Sequence, residues 1–194
     1  PNYPINQRGL TGCISFVNIY FDYVDLTANN SNCEDAINLV NTAGKINKIS
    51  IQNSFSDALD ADFSELKINN LNISSAINDC TDFSAGKYEL VNLDLNNCGD
   101  KGISIGEKSK VKIKNITVNK ADIGVATKDS SILSLKNATL ENLRTCVSAY
   151  NKKQEFNGGF VKIENLICKK FTKKFEIDKM SKIILEKSIL TSKK

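Results

Sequence analysis

Histidine and tryptophan do not occur in this 194-residue chain; proline appears twice, methionine once, and arginine only as Arg8 and Arg144. Without histidine there is no Ser-His-Asp or Cys-His nucleophile and no mixed Cys/His zinc site. No apolar run approaches the roughly 18 residues of a membrane span, and no secretory leader is visible. No stretch reads as a linker, so residues 1–194 read as a single domain. Because the chain starts at Pro1 and not at Met, a processed product or a piece of a longer protein is expected. Gly99, Gly102 and Gly106 lack the strand-to-helix setting of a phosphate-binding loop. The net charge of +4 is mild for a dedicated nucleic-acid binder, so no nucleic-acid partner is expected. The excess lysine gathers near the C-terminus, from Lys169, Lys170, Lys173 and Lys174 to Lys193 and Lys194. That end reads either as a solvated finish or as a patch for an acidic polymer or membrane surface. Phe171 and Phe175, set among these lysines, are expected to fill the end of a core.

What is present is a repeat. Leu66-Lys67-Ile68-Asn69-Asn70, Tyr88-Glu89-Leu90-Val91-Asn92, Val111-Lys112-Ile113-Lys114-Asn115, Leu133-Ser134-Leu135-Lys136-Asn137 and Val161-Lys162-Ile163-Glu164-Asn165 share one alternating pattern. Their closing asparagines are 22, 23, 22 and 28 residues apart. A period in the twenties with strand-type alternation marks a solenoid. Each unit continues with a second apolar pair, such as Leu93/Leu95, and a third short strand, such as Thr81–Ser84 or Ile103–Gly106. Three strands and three corners in 22 residues fit one coil of an all-β, right-handed parallel β-helix, and the leucine consensus of a leucine-rich repeat is absent. Ile14–Asn18 and Ile49–Asn53 read as earlier copies of the asparagine strand, with a long loop between them. Ile183–Lys187 reads as the last strand, and residues 151–159 as an insertion. The count is about seven or eight coils, a rod of roughly 35 Å.

In such a stack the column Asn70, Asn92, Asn115, Asn137 and Asn165 is structural. Each amide offers a donor and an acceptor to the next, and asparagine tolerates a left-handed corner. The six cysteines lie 20, 18 and 22 residues apart in local pairs, Cys13/Cys33, Cys80/Cys98 and Cys146/Cys168. Those separations are close to one coil, so the coil reading expects these three disulfides, although the sequence leaves the connectivity open. Disulfides imply an oxidising location: extracellular, periplasmic or cell surface. Six buried free thiols are the alternative.

Acidic residues also recur. Asp57, Asp79, Asp100 and Asp122 are 22, 21 and 22 apart and are expected at one corner, the first three as candidate binding residues. Asp60 and Asp82, 22 apart, are expected to face outward on neighbouring coils, about 5 Å from each other. Such a pair can bind calcium or share a proton and act as a general acid; the plainer reading is a solvated corner. Asp62 joins this cluster and Lys101 partly neutralises it. Glu107 and Asp129, beside Lys108 and Lys128, read as a salt-bridged corner.

The repeats, with the stretches Ser56–Ser64, Asn78–Ser84 and Cys98–Glu107, resemble β-helix domains of the pectate-lyase-like superfamily carried by larger bacterial surface or secreted proteins. An Asn-, Lys- and Ile-rich composition is in keeping with that source. The resemblance implies a fold more than an activity. Superfamily enzymes act on acidic polysaccharides, but their catalytic motifs are mostly missing: there is no histidine, and Arg144 falls about three coils from Asp82. The expected function is therefore non-enzymatic, a rigid module presenting a face to a polysaccharide or a partner domain, with no cofactor. The alternatives are a polysaccharide-active enzyme using Asp60 and Asp82, with calcium possible there, and a purely structural spacer.

Overall fold

The computed structural model describes residues 9–186 and 188–192. Its strands are β1 (Gly12–Val17), β2 (Tyr20–Ser31), β3 (Asp35–Val40), β4 (Ala43–Ser54), β5 (Asp57–Asp62), β6 (Glu65–Ala76) and β7 (Thr81–Ser84). They continue with β8 (Lys87–Cys98), β9 (Lys101–Gly106), β10 (Lys110–Lys128), β11 (Ile132–Tyr150), β12 (Phe160–Ile177), β13 (Lys182–Leu185) and β14 (Ser188–Leu190). All pairings are parallel except β13 with β14. The chain winds about eight turns of a parallel β-helix with a repeat of about 22 residues.

The coil has three faces. The asparagine-motif strands stack as the first, with Leu66 on Tyr88 on Val111 on Leu133 on Val161. The second carries Leu71, Leu93, Ile116 and Ala138 in one column. The third stacks β1, β3, β5, β7 and β9, then the last parts of β10, β11 and β12. Alternation sends one set of side chains inward on every face. Ile68, Leu90, Ile113, Leu71, Leu95, Leu59, Ile103 and Val147 are all buried in one continuous core. Phe83 and Tyr88 meet inside it with ring centres 4.7 Å apart, and the Tyr88 hydroxyl donates to the Ala61 carbonyl at 2.8 Å. The phenol oxygen thus finds the partner that burial demands.

Corners are where a coiled chain must satisfy backbone groups without a ladder. Before the first face, buried hydroxyls do this: the N–H groups of Thr42, Gly86, Ser109 and Gly159 donate to Oγ of Ser64, Ser109, Ser131 and Ser181, one turn on, at 2.9–3.3 Å. Between the first and second faces the asparagines form a ladder. Asn92, Asn115, Asn137 and Asn165 each donate to the Oδ1 of the asparagine one turn back, at 2.9–3.2 Å, and Asn70 donates to the Asn47 carbonyl. These five are not the left-handed residues. Positive φ occurs after the second face, at Asn30, Asn53, Ser75, Asn97, Lys120, Asn142 and Lys170, and after the third, at Asn18, Asn41, Phe63 and Ala85 among others.

That distribution corrects the early frame. Ile14–Asn18 belongs to the third face, where β1 pairs β3, and Ile49–Asn53 to the second, with Ile49 on Leu71. Asn18 bonds Asn41 and Asn53 bonds Asn30 at their own corners. No long loop separates them: β3 and β4 continue the repeat, with Asp35 on Asp57 and Ala43 on Glu65. Asparagine serves three different corners, so an asparagine after an alternating strand does not identify the face. Of the proposed last strand, Lys187 lies outside the described residues; β13 ends at Leu185 and β14 folds back on it. Phe171 is 41% exposed and does not fill the core end, whereas Phe175 packs against the core. Three disulfides, Cys13–Cys33, Cys80–Cys98 and Cys146–Cys168, join neighbouring turns.

Outward side chains differ by face. The second presents Thr27, Ser50, Gln52, Asn72, Ser74 and Thr117, mostly uncharged. The first is rich in exposed lysine, and the third in aspartate.

Candidate functional site

On the third face the strand β5 directs Asp60 and Asp62 outward, in alternation with the inward Leu59 and Ala61, while Asp57 opens the strand at the corner. Stacking then generates columns. Asn38, Asp60, Asp82 and Ser104 form the central one, and Asp62, Ser84 and Gly106 the one beside it. The outward positions are unusually enclosed: Asn38 and Ser104 are buried, and Asp60, Asp62 and Asp82 are half-buried.

One lysine, Lys128, lies over this strip from a later turn, and a second, Lys101, stands at the corner before it. The Lys128 side chain is only 7% exposed; its Nζ donates to Ser104 Oγ at 2.7 Å and to Asp82 Oδ2, two turns back, at 3.4 Å. Lys101 pairs with Asp79 at 3.3 Å and with Asp100. Asp82 Oδ1 is buried with no hydrogen-bond partner among the described residues. Asn38 Nδ2 donates to Asp60 Oδ2 at 2.9 Å.

Burial raises the carboxyl pKa values here, because an ion loses water that nothing fully replaces. Asp60 is pushed up to about 9, by burial first and then by the charges of Asp62, Asp35, Asp82 and Asp57. Asp62 is raised mainly by burial, opposed by its hydrogen bond with Asp60. Asp60 therefore keeps its proton at neutral pH and shares it with Asp62, two residues along the same strand. Asp35 and Asp79 rise to about 7, both chiefly through burial; a hydrogen bond from Thr11 opposes this at Asp35, and the Lys101 charge does so at Asp79. Burial tends to lower Lys101, but Asp79 and Asp100 outweigh it and raise the ammonium pKa.

The sequence candidates divide into two groups. Asp57 and Asp79 are corner residues: Asp57 Oδ1 accepts the Asp79 N–H at 2.9 Å, and Asp79 Oδ1 accepts the Lys101 N–H at 3.0 Å. Asp100 and Asp122 fall one position away from that column, since the step from 79 to 100 is 21 residues and not 22. Asp100 holds Lys101, and Asp122 takes two 2.8 Å bonds from Arg144. Glu107 pairs with Lys153 of the insertion, and Asp129 accepts the N–H groups of Lys152 and Lys153. The corner is salt-bridged through Lys153 and not through the Lys108 or Lys128 side chains; Lys108 contributes its backbone N–H to the Asp129 carbonyl at 2.9 Å. Asp60, Asp62 and Asp82 remain as the carboxyls directed at solvent. Among the described residues no three acidic, histidine or cysteine side chains converge as a metal site.

The residue order does not single out Asp35, Asn38 or Ser104, and it places Lys128 beside Asp129 and not over Asp82. Asn38, Asp60, Asp82 and Ser104 stand at 22-residue steps, a signal that the expected long loop between Asn18 and Asn53 hides. The pairing of Lys128 with Asp82 is hidden for another reason: the side chain reaches back two turns. Chemically, the strip combines a proton-bearing carboxyl, two further carboxyls and an ammonium group at fixed spacing. It can donate and accept hydrogen bonds toward a polyhydroxylated ligand. Compared with known protein families, curated proteins and solved structures, the chain matches none.

Proposed function

We propose that this chain is a rigid, non-enzymatic binding module of an exported protein, and that its third face takes a carbohydrate or a partner domain. The observation behind this reading is the strip of Asp60, Asp62 and Asp82 beneath Lys128. A purely structural spacer has no need of half-buried carboxyls on a solvent-directed face, where each costs stability. Three disulfides accord with an oxidising compartment outside the cytoplasm, and the β-helix with the pectate-lyase-like resemblance. Asp82→Asn keeps the side-chain volume and removes one charge-assisted acceptor. Calorimetric titration with neutral and acidic oligosaccharides, at a temperature where circular dichroism shows the variant folded despite the lost Lys128 counter-charge, is expected to show affinity falling about tenfold or more. Equal affinity in the two proteins sinks the assignment.

The protonated Asp60 supports a second reading, a polysaccharide-active enzyme in which Asp60 is the general acid. Incubation of polysaccharides with the protein, with and without calcium, followed by size-exclusion chromatography separates the two. Chains shortened by the natural protein but not by Asp60→Asn establish catalysis; unshortened chains leave binding.

A further inference from the structure

The lysines of the first face have no role in that reading. Lys45 and Lys67 stack in one outward column, Lys87 and Lys110 in the next, and Lys114 and Lys136 in a third. Lys112, Lys162 and Lys182 extend the first two columns. All nine are exposed, against four glutamates on the same face, Glu65, Glu89, Glu164 and Glu186. Among the described residues only Lys87 and Lys112 of these nine form ion pairs, with Glu65 at 3.3 Å and Glu89 at 3.6 Å. Like charges directly opposite on neighbouring strands, about 4.8 Å apart, are destabilising. The coil carries that repulsion for no structural return.

Geometry narrows what neutralises these charges. The lysines occupy three columns over several turns, a two-dimensional array on a flat sheet, whereas a linear polyanion would be served by a single file. The aromatic side chains in the lysine columns, exposed Tyr20 and half-buried Phe160, stand six turns apart in one column, too far from each other to stack successive nucleic-acid bases. An open depression of about 740 Å³ lies among Lys45, Lys67, Lys87 and Lys110, roomy enough for lipid headgroups. Tyr20 lines its end and is 74% exposed, an amphipathic ring of the kind that settles at headgroup depth. The aspartates Asp60 and Asp82 stand on other strands, β5 and β7, outside the lysine columns.

We propose that the first face docks on an anionic phospholipid bilayer, so that the rod lies flat and leaves its third face free. Each lysine near an anionic leaflet contributes about a fivefold gain in binding, and the attraction weakens with salt.

The test is co-sedimentation of the whole chain with vesicles of phosphatidylglycerol and phosphatidylcholine in equal parts. Binding is expected, falling steeply between about 0.1 M and about 0.5 M salt, and absent with phosphatidylcholine alone. The variant Lys110→Gln/Lys112→Gln/Lys114→Gln/Lys136→Gln should lose more than about a hundredfold in partitioning with an unchanged melting temperature. Ser134→Lys, which adds a charge inside the array, should strengthen it. Asp60→Asn and Asp82→Asn should leave it unaltered, which separates this surface from the glycan reading. Equal binding to neutral vesicles, undiminished binding by the quadruple variant, or capture of soluble dextran sulfate without capture of vesicles would each overturn the proposal.

Discussion

Lys87 and Lys128 each form an ion pair with an acid on an earlier turn, at nearly the same distance, 3.3 and 3.4 Å. On the first face Lys87 and Glu65 are 65% and 69% exposed; on the third, Lys128 and Asp82 are 7% and 24% exposed. Water screens the first pair almost completely, and its net worth is small. The second sits where the local dielectric is low, so its members depend on each other. The two faces share strand pitch, inward apolar residues and register. They differ in what the outward positions carry and how far those positions are enclosed. Long, flexible lysines stand away from the first face and remain solvated. Short aspartates on the third are half-buried, with Lys128 laid over Asp82, and the proton on Asp60 becomes part of the fold.

The sharpest way to break this comparison is to remove one cation from each face. Lys128→Ala is expected to cost about 3 kcal/mol, because it strands Asp82 and Ser104 without their donor; chemical denaturation measures it. A loss below about 1 kcal/mol means the third-face pair is as solvated as the first. Proton linkage gives a second, smaller contrast. Asp60 has a folded pKa of about 9 against an ordinary value of 3.8. The folded state holds the extra proton between those values, so stability is greatest below pH about 4 with respect to this group and declines as pH rises toward 9. Asp35 and Asp79, raised to about 7, act in the same direction up to neutrality. Melting temperature should therefore fall from mildly acid to alkaline pH, and Asp60→Asn should flatten the upper part of that slope. A wild-type slope of the opposite sign would falsify the buried-carboxyl picture. The smallest effect is expected for Lys87→Gln, within about 0.5 kcal/mol, and it should vanish at high salt.

Part of this is legible in the order of the residues. The motif with Lys67, Lys112 and Lys162 between inward apolar residues requires lysine to face out, and the cysteine separations place each pair one coil apart. Asp60 and Asp82, at one repeat, stack as that spacing demands. Other parts were misread for identifiable reasons. The 21-residue step from Asp79 to Asp100 moved a supposed column by one position. Asn18 and Asn53 resembled the ladder asparagines, yet occupy corners that need positive φ. Lysine counted along the chain pointed to the C-terminal quarter; counted around the coil, it points to the first face.

Period and alternation are local properties of a chain, and in a solenoid each turn touches only its neighbours. That is why the all-β coil, the inward set and the asparagine ladder followed from residue order alone. Proton sharing between Asp60 and Asp62, the reach of Lys128 across two turns to Asp82, and the segregation of charge onto separate faces did not. They depend on enclosure, on side-chain length and on the angle between faces, and these quantities come into being only when the coil closes around its core.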